Sequence, residues 1–147
     1  MMRQREYSYG VIPIKKRGDD MLFLLVCNKK GFWDFPKGRP EEGEHDPVKI
    51  ALRELEEEGC VSECRIVPDI CFEDQYVCSY YGIEYDKTVR YYLGIVLAEA
   101  ELHEDPDGGI IERKWLSYSE ALQTLTYPRK KEILGEVKEY IENHPEL

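Results

Sequence analysis

The chain has 147 residues, 42% apolar and 34% charged, which suits a single globular domain over residues 1–147 with a sizeable core. Its net charge of −10 argues against stable binding to nucleic acid or to an anionic membrane. The cysteines (Cys27, Cys60, Cys64, Cys71, Cys78) are odd in number and form no C-x-x-C pair, so neither a zinc site nor a disulfide framework is expected.

The N-terminal stretch MMRQREYSYG lacks the apolar core of a signal peptide, and no run approaches membrane-spanning length. Reduced thiols and a cytoplasmic protein follow as expectations. Tyr7–Lys16 is β-rich and reads as a strand. Met21–Asn28 (MLFLLVCN) is a nearly continuous apolar run, as for a strand buried on both faces. A Gly- and Pro-containing loop follows from Trp33. Asp46 and Pro47 then mark a helix start, with an N-cap side chain and a proline where a missing N–H costs nothing. Val48, Ala51, Leu52 and Leu55 recur at helical spacing as one apolar stripe. Cys64–Val67 reads as a short strand, and Asp69–Ser79 with Lys87–Leu97 as a long antiparallel pair. A polar loop covers 99–109, a short strand Glu112–Leu116, and a helix Glu120–Leu125 capped by Ser117 or Ser119. Pro128 breaks the chain before a last helix near Arg129–Glu142. A mixed sheet with a helix on either side is the natural packing of these elements.

Glu54, Glu57 and Glu58 fall on one helix face at i, i+3 and i+4. Clustered carboxylates repel, and an acidic face is usually a solvated one. The loop in front shifts the balance, because hard divalent cations share carboxylates with substrate phosphates.

The segment from Gly38 to Val61 resembles the Nudix box, G-x5-E-x7-R-E-U-x-E-E-x-G-U with U apolar. Gly38 and Glu44 match its opening; Arg53, Glu54, Leu55, Glu57 and Glu58 match its centre. The resemblance implies a Nudix-type α/β/α sandwich with a mixed β-sheet. It also implies hydrolysis of nucleoside diphosphates linked to another group, with Mg²⁺ or Mn²⁺ held by the box. Glu54, Glu57 and Glu58 are the implied ligands, with Gly38 and Glu44 beside them and Arg53 among the catalytic set. Two departures stand out: eight residues separate Glu44 from Arg53, and Cys60 takes the glycine slot. A second register, with Glu56 and Glu57 as the paired glutamates, therefore stays open. The first keeps Arg-Glu in place and is preferred, with the extra residue absorbed near 45–47.

Outside the box, Trp33–Gly38 is similar to the W-x-x-P-K-G entrance of the asymmetric diadenosine tetraphosphate hydrolases, and Lys87–Leu93 to their K-x-V-x-Y-aromatic-L strand. That likeness points to cleavage of diadenosine tetraphosphate to ATP and AMP by a monomer or homodimer. Lys37, Arg39 and Lys87 would meet phosphates, and Tyr91 and Tyr127 a nucleobase; Tyr80 and Tyr81 lie in a neighbouring turn. Trp33 and Trp115 are assigned to packing, and His45 and His103 to the surface. The general base stays open among Glu57, Glu58, Glu104 and Glu112. Rival readings are an RNA 5′-pyrophosphohydrolase, a nucleoside triphosphate pyrophosphatase and a non-hydrolysing nucleotide-binding module.

Overall fold

The computed structural model describes residues 3–147, so Met1 and Met2 of the N-terminal stretch lie outside it. Strands β1 (Gln4–Arg17) and β2 (Asp20–Asn28) form an antiparallel hairpin. Two short strands follow: β3 (Trp33–Asp34) on β2 and β4 (Lys37–Gly38) on β1. Helix α1 (Pro47–Gly59) leads into a long hairpin of β5 (Val61–Tyr80) and β6 (Ile83–Glu99). Strand β7 (Ile110–Leu116) pairs with β2, and helices α2 (Tyr118–Thr124) and α3 (Pro128–Glu142) close the chain. Among these residues the sheet is mixed and runs β3-β2-β1-β6-β5, with β1 and β6 parallel at its centre.

The period-2 alternation of strands sorts the core into two layers. Val11 and Leu24 meet Ala51 and Leu55 of α1 on one face. Ile12, Ile14, Phe23 and Leu25 meet Leu134 and Val137 of α3 on the other. The sandwich read from the sequence is therefore the observed one. No described helix is long and apolar enough to cross a membrane.

Two details depart from the sequence reading. In α1 it is Ile50, with Ala51 and Leu55, that is buried, while Val48 stays half-buried at the open N-terminal end. The two strands expected at Cys64–Val67 and Asp69–Ser79 are one, β5. Pro68 and Asp69, the latter at φ 63°, sit where the ladder is irregular between Ile66 and Cys71, so the break is a bulge and not a strand end. Helix ends come out as expected: Asp46 accepts the N–H groups of Val48 and Lys49, and Ser117 with Glu120 forms a capping box. Burying Leu55 contributes about 1.5–3 kcal/mol. Each like-charge pair along α1 costs only about 0.2–0.5 kcal/mol, so the apolar face can carry the acidic one.

Candidate active site

The loop before α1 is pressed against both the sheet and the helix, and two glycines permit this. A Cβ on Gly10 would stand 2.3 Å from the Pro36 carbonyl, which instead accepts the Val11 N–H at 3.2 Å. A Cβ on Gly38 would stand 2.1 Å from the Glu54 carboxyl carbon. Glycine at 38 thus makes the space that the Glu54 carboxylate fills. One turn on, Glu58 accepts the Lys37 backbone N–H at 3.1 Å.

Arg53 ties the loop to the helix. Its guanidinium grips both oxygens of Glu44 at 2.9 Å, reaches Glu54 at 2.9 Å and Glu57 at 3.1 Å, and donates to the Arg39 carbonyl at 3.1 Å. These bonds engage all of its N–H donors. The Glu44 hydrogen bonds, with the charges of Glu54 and Glu57 added, hold the guanidinium pKa above its ordinary value despite burial. Arg53, expected in the catalytic set, is placed here to position the loop and the helix glutamates. Glu44, expected beside the metal ligands, does not line the cleft; its carboxylate accepts from Arg53 and from the Glu41 N–H.

Glu54 and Glu58 open onto a cleft of about 900 Å³, together with Lys37, Gly38, Arg39 and Lys87. Glu57, expected among the metal ligands, does not line the cleft: its carboxylate is turned to Arg53 at 3.1 Å. Glu56 faces away and meets the His103 ring at 3.1 Å, so His103 is half-buried and not a free surface residue. The box register built on Arg53-Glu54 and Glu57-Glu58 is thus the one that faces the Gly38 loop. The slot where the pattern has glycine ends α1 in the left-handed region, with Cys60 at φ 56°. Arg113 from β7 donates to the Glu57 and Glu58 carbonyls and secures this helix end.

Burial pushes the Glu54 carboxyl up to about 7, with Arg53 opposing and Glu57 adding to the shift. Burial likewise pushes Glu58 up to about 8, against the hydrogen bond from the Lys37 N–H. Among the described residues no three His, Cys, Asp or Glu side chains form a ready-made metal cage. Mg²⁺ does not need one, since it retains waters and binds through one or two carboxylates plus substrate phosphates. A buried carboxylate, Glu54, and a half-buried one, Glu58, on one cleft wall beside the Gly38 backbone fit that ion.

The folded chain holds the Glu54 and Glu58 protons to about 7 and about 8, whereas the unfolded chain releases them near the ordinary value of 4.5. Their contribution to stability is complete below the unfolded value and is lost as pH rises through the folded ones. A dication removes that penalty. Magnesium should therefore raise the melting temperature more near pH 8.5 than near pH 6, and an equal shift at both would refute the assignment.

The other basic residues converge on the same cleft. Lys87 is 6% exposed and pairs with Glu6 at 2.7 Å; Arg39 reaches Glu6 at 3.5 Å. Lys37 also lines a second cavity of about 810 Å³, which holds Tyr76, Tyr127 and Lys130. Tyr127 is exposed, braced edge-on by Phe32 at 5.9 Å. Tyr91 is not available to a nucleobase, which corrects that expectation. Its ring lies in the core, 0% exposed, and its hydroxyl accepts from Lys130 at 2.8 Å and donates to Asp34 at 3.3 Å.

Two base candidates also fall away from the cleft. Glu104 lines a separate hollow with Lys29 and Arg113. Glu112 is exposed on β7 beside Lys114. Asp107, not singled out from the sequence, does line the cleft. It is presented by Asp105, whose carboxylate accepts the N–H groups of Asp107, Gly109 and Ile110. The Asp-Pro-Asp-Gly-Gly turn was the legible signal, since Asp carboxylates order their own turns. Tyr76 was missed in the same way, though it stands on the wall between both cavities.

This fold and this box define a Nudix protein, and a model of the NUDIX domain matches residues 4–137. The chain belongs to that family, whose hydrolases use divalent metal ions. Among solved structures it is similar to a C. elegans Ap4A hydrolase in a binary complex, at 22% identity and a TM-score of 0.78, over 94% of this chain and 98% of that one. A mutT/nudix family protein from Listeria innocua gives 22% identity and 0.67, over 97% of each chain. The NUDIX domain of Shewanella oneidensis NrtR, complexed with ADP ribose, gives 14% and 0.63, over 95% of this chain and 90% of that one. At these identities the likeness is one of fold. No curated protein matches the sequence.

Proposed function

We propose that the protein is a Mg²⁺- or Mn²⁺-dependent pyrophosphohydrolase that cleaves diadenosine tetraphosphate to ATP and AMP. The observation that carries this reading is the meeting of two cavities at Lys37: a carboxylate-lined cleft on one side and a tyrosine-lined cavity on the other. The likeness in fold to an Ap4A hydrolase agrees with it.

Glu54 and Glu58, with the Gly38 backbone, would hold the metal. The metal supplies charge stabilisation and a water poised for attack. Lys37, Arg39 and Lys87 line the phosphate path. Tyr127 offers an exposed ring to the adenine, with Tyr76 across the same cavity. Water adds to a phosphorus, the bridging P–O bond breaks, and a carboxylate takes the water proton. Of the base candidates, Glu58 lines the cleft, and Asp107 joins it.

The purified protein with magnesium should be tested on diadenosine tetraphosphate, ATP and 5′-triphosphate RNA, with products separated by chromatography. A kcat/KM at least tenfold higher for the dinucleotide, with ATP and AMP as products, is expected. Equal values for ATP, or ADP as the sole product, would reject the reading.

A further inference from the structure

The β5–β6 hairpin extends beyond the body of the sheet, and its tip carries rings that the chemistry above does not use. Tyr76, Cys78 and Tyr80 alternate onto one face of β5, and the register sets Lys87 opposite Tyr76 and Tyr85 opposite Cys78. That face continues the floor of the cleft. Tyr80, Tyr81 and Tyr85 line the same 900 Å³ cleft as Glu54 and Glu58. Tyr80 is half exposed, Tyr81 fully so, and the Tyr80 and Tyr85 rings sit 5.8 Å apart at an angle of 53°. Four residues of strand separate Tyr76 from Tyr80, about 13 Å at the strand rise.

Aromatic faces thus stand at both ends of one basic lane. Tyr76 and Tyr127 are at one end, Lys37, Arg39 and Lys87 lie between, and the hairpin tyrosines form the other end. We propose that Tyr80, Tyr81 and Tyr85 form a second nucleobase station, which receives the distal nucleoside of a dinucleoside polyphosphate. The proposal rests on reading the cleft as a nucleoside polyphosphate site. It assigns selection of dinucleotides over mononucleotides to the hairpin. Stacking suits the task because every base has a π-face, and a tip built of phenol rings imposes no hydrogen-bond code.

The test is calorimetric titration of the full chain in excess chelator, so that turnover does not compete. Diadenosine tetraphosphate is compared with adenosine 5′-tetraphosphate, which lacks the second nucleoside and carries one more ionisable oxygen on its terminal phosphate, a charge that favours the mononucleotide in a basic lane and so works against the expected result. The wild-type protein should bind the dinucleotide about tenfold more tightly, the size of one base–aromatic stack. The variant Tyr80→Ala/Tyr85→Ala, its fold checked by circular dichroism, should lose that margin and bind the mononucleotide as the wild type does. Failure of the wild type to prefer the dinucleotide, or a margin that survives in the variant, overturns the proposal. So does a fall in apparent mass on gel filtration with unchanged affinities, which would give the hairpin to contacts between copies. Absence of hydrolysis with magnesium would sink the proposed reaction, while this binding comparison would still decide the second station.

Discussion

Glu58→Gln should lower turnover roughly a hundredfold or more, beyond the 10–100-fold typical of groups that only support a metal ligand. Glu56→Gln should leave turnover within about twofold, as exposed substitutions away from a site do. The two residues are two apart on α1, so they point to different sides. Glu58 lines the cleft and accepts the Lys37 N–H; Glu56 is exposed and meets His103. Glutamine at 58 keeps an acceptor for that N–H, so the loop geometry survives and the loss isolates the charge. Steady-state kinetics with a magnesium titration, alongside circular dichroism, reads the result. The reverse ranking would falsify the register and move the metal by one residue.

Lys130→Met should destabilise the fold by about 3 kcal/mol or more, the cost of leaving a buried ion network without its cation. Lys130 is 2% exposed. Its ammonium touches both Asp34 oxygens at 2.9 and 3.0 Å, the Tyr91 hydroxyl at 2.8 Å and Asp74 at 3.6 Å. Methionine fills similar volume, so little cavity forms and the loss is electrostatic. Burial, followed by the charge of Asp34, raises the Tyr91 phenol well above its ordinary value, so it stays a neutral donor to Asp34 and supplies no cation in place of Lys130. Urea unfolding followed by tryptophan fluorescence would measure the change. A loss under about 1 kcal/mol would mean that water from the adjoining cavity solvates the pair.

Where a local rule suffices, the sequence was legible. The doubly buried β2, the Asp46-Pro47 start of α1 and the Ser117 cap all follow from neighbours within a few positions. Gly38 and Glu54 were paired by the box, and the close approach of the two gives the physical reason. Tyr91 could have been placed correctly, since Val89, Tyr91 and Leu93 alternate onto the core face of β6. Resemblance drew it to the substrate instead. The Asp34–Lys130 pair spans 96 residues, and no periodicity links groups that far apart. Asp107 and Tyr76 were hidden for a related reason: their roles depend on which loop and which hairpin the fold brings beside α1.

The parallel pairing of β1 with β6 also sets a timetable. Glu6 meets Lys87 across 81 residues of chain, and residues 4–14 lie against 85–95. The Lys37-Gly38 strand in turn leans on Tyr9 and Gly10 of β1. As the chain emerges during synthesis, its first strand must wait for β6 before the centre of the sheet can close. Until then the loop and acidic helix have no floor to settle on. Such distant pairing slows folding, because loop-closure entropy is lost before the contacts return it. Competence to bind a ligand should accordingly appear as a late event in refolding, together with the closing of the sheet and not ahead of it.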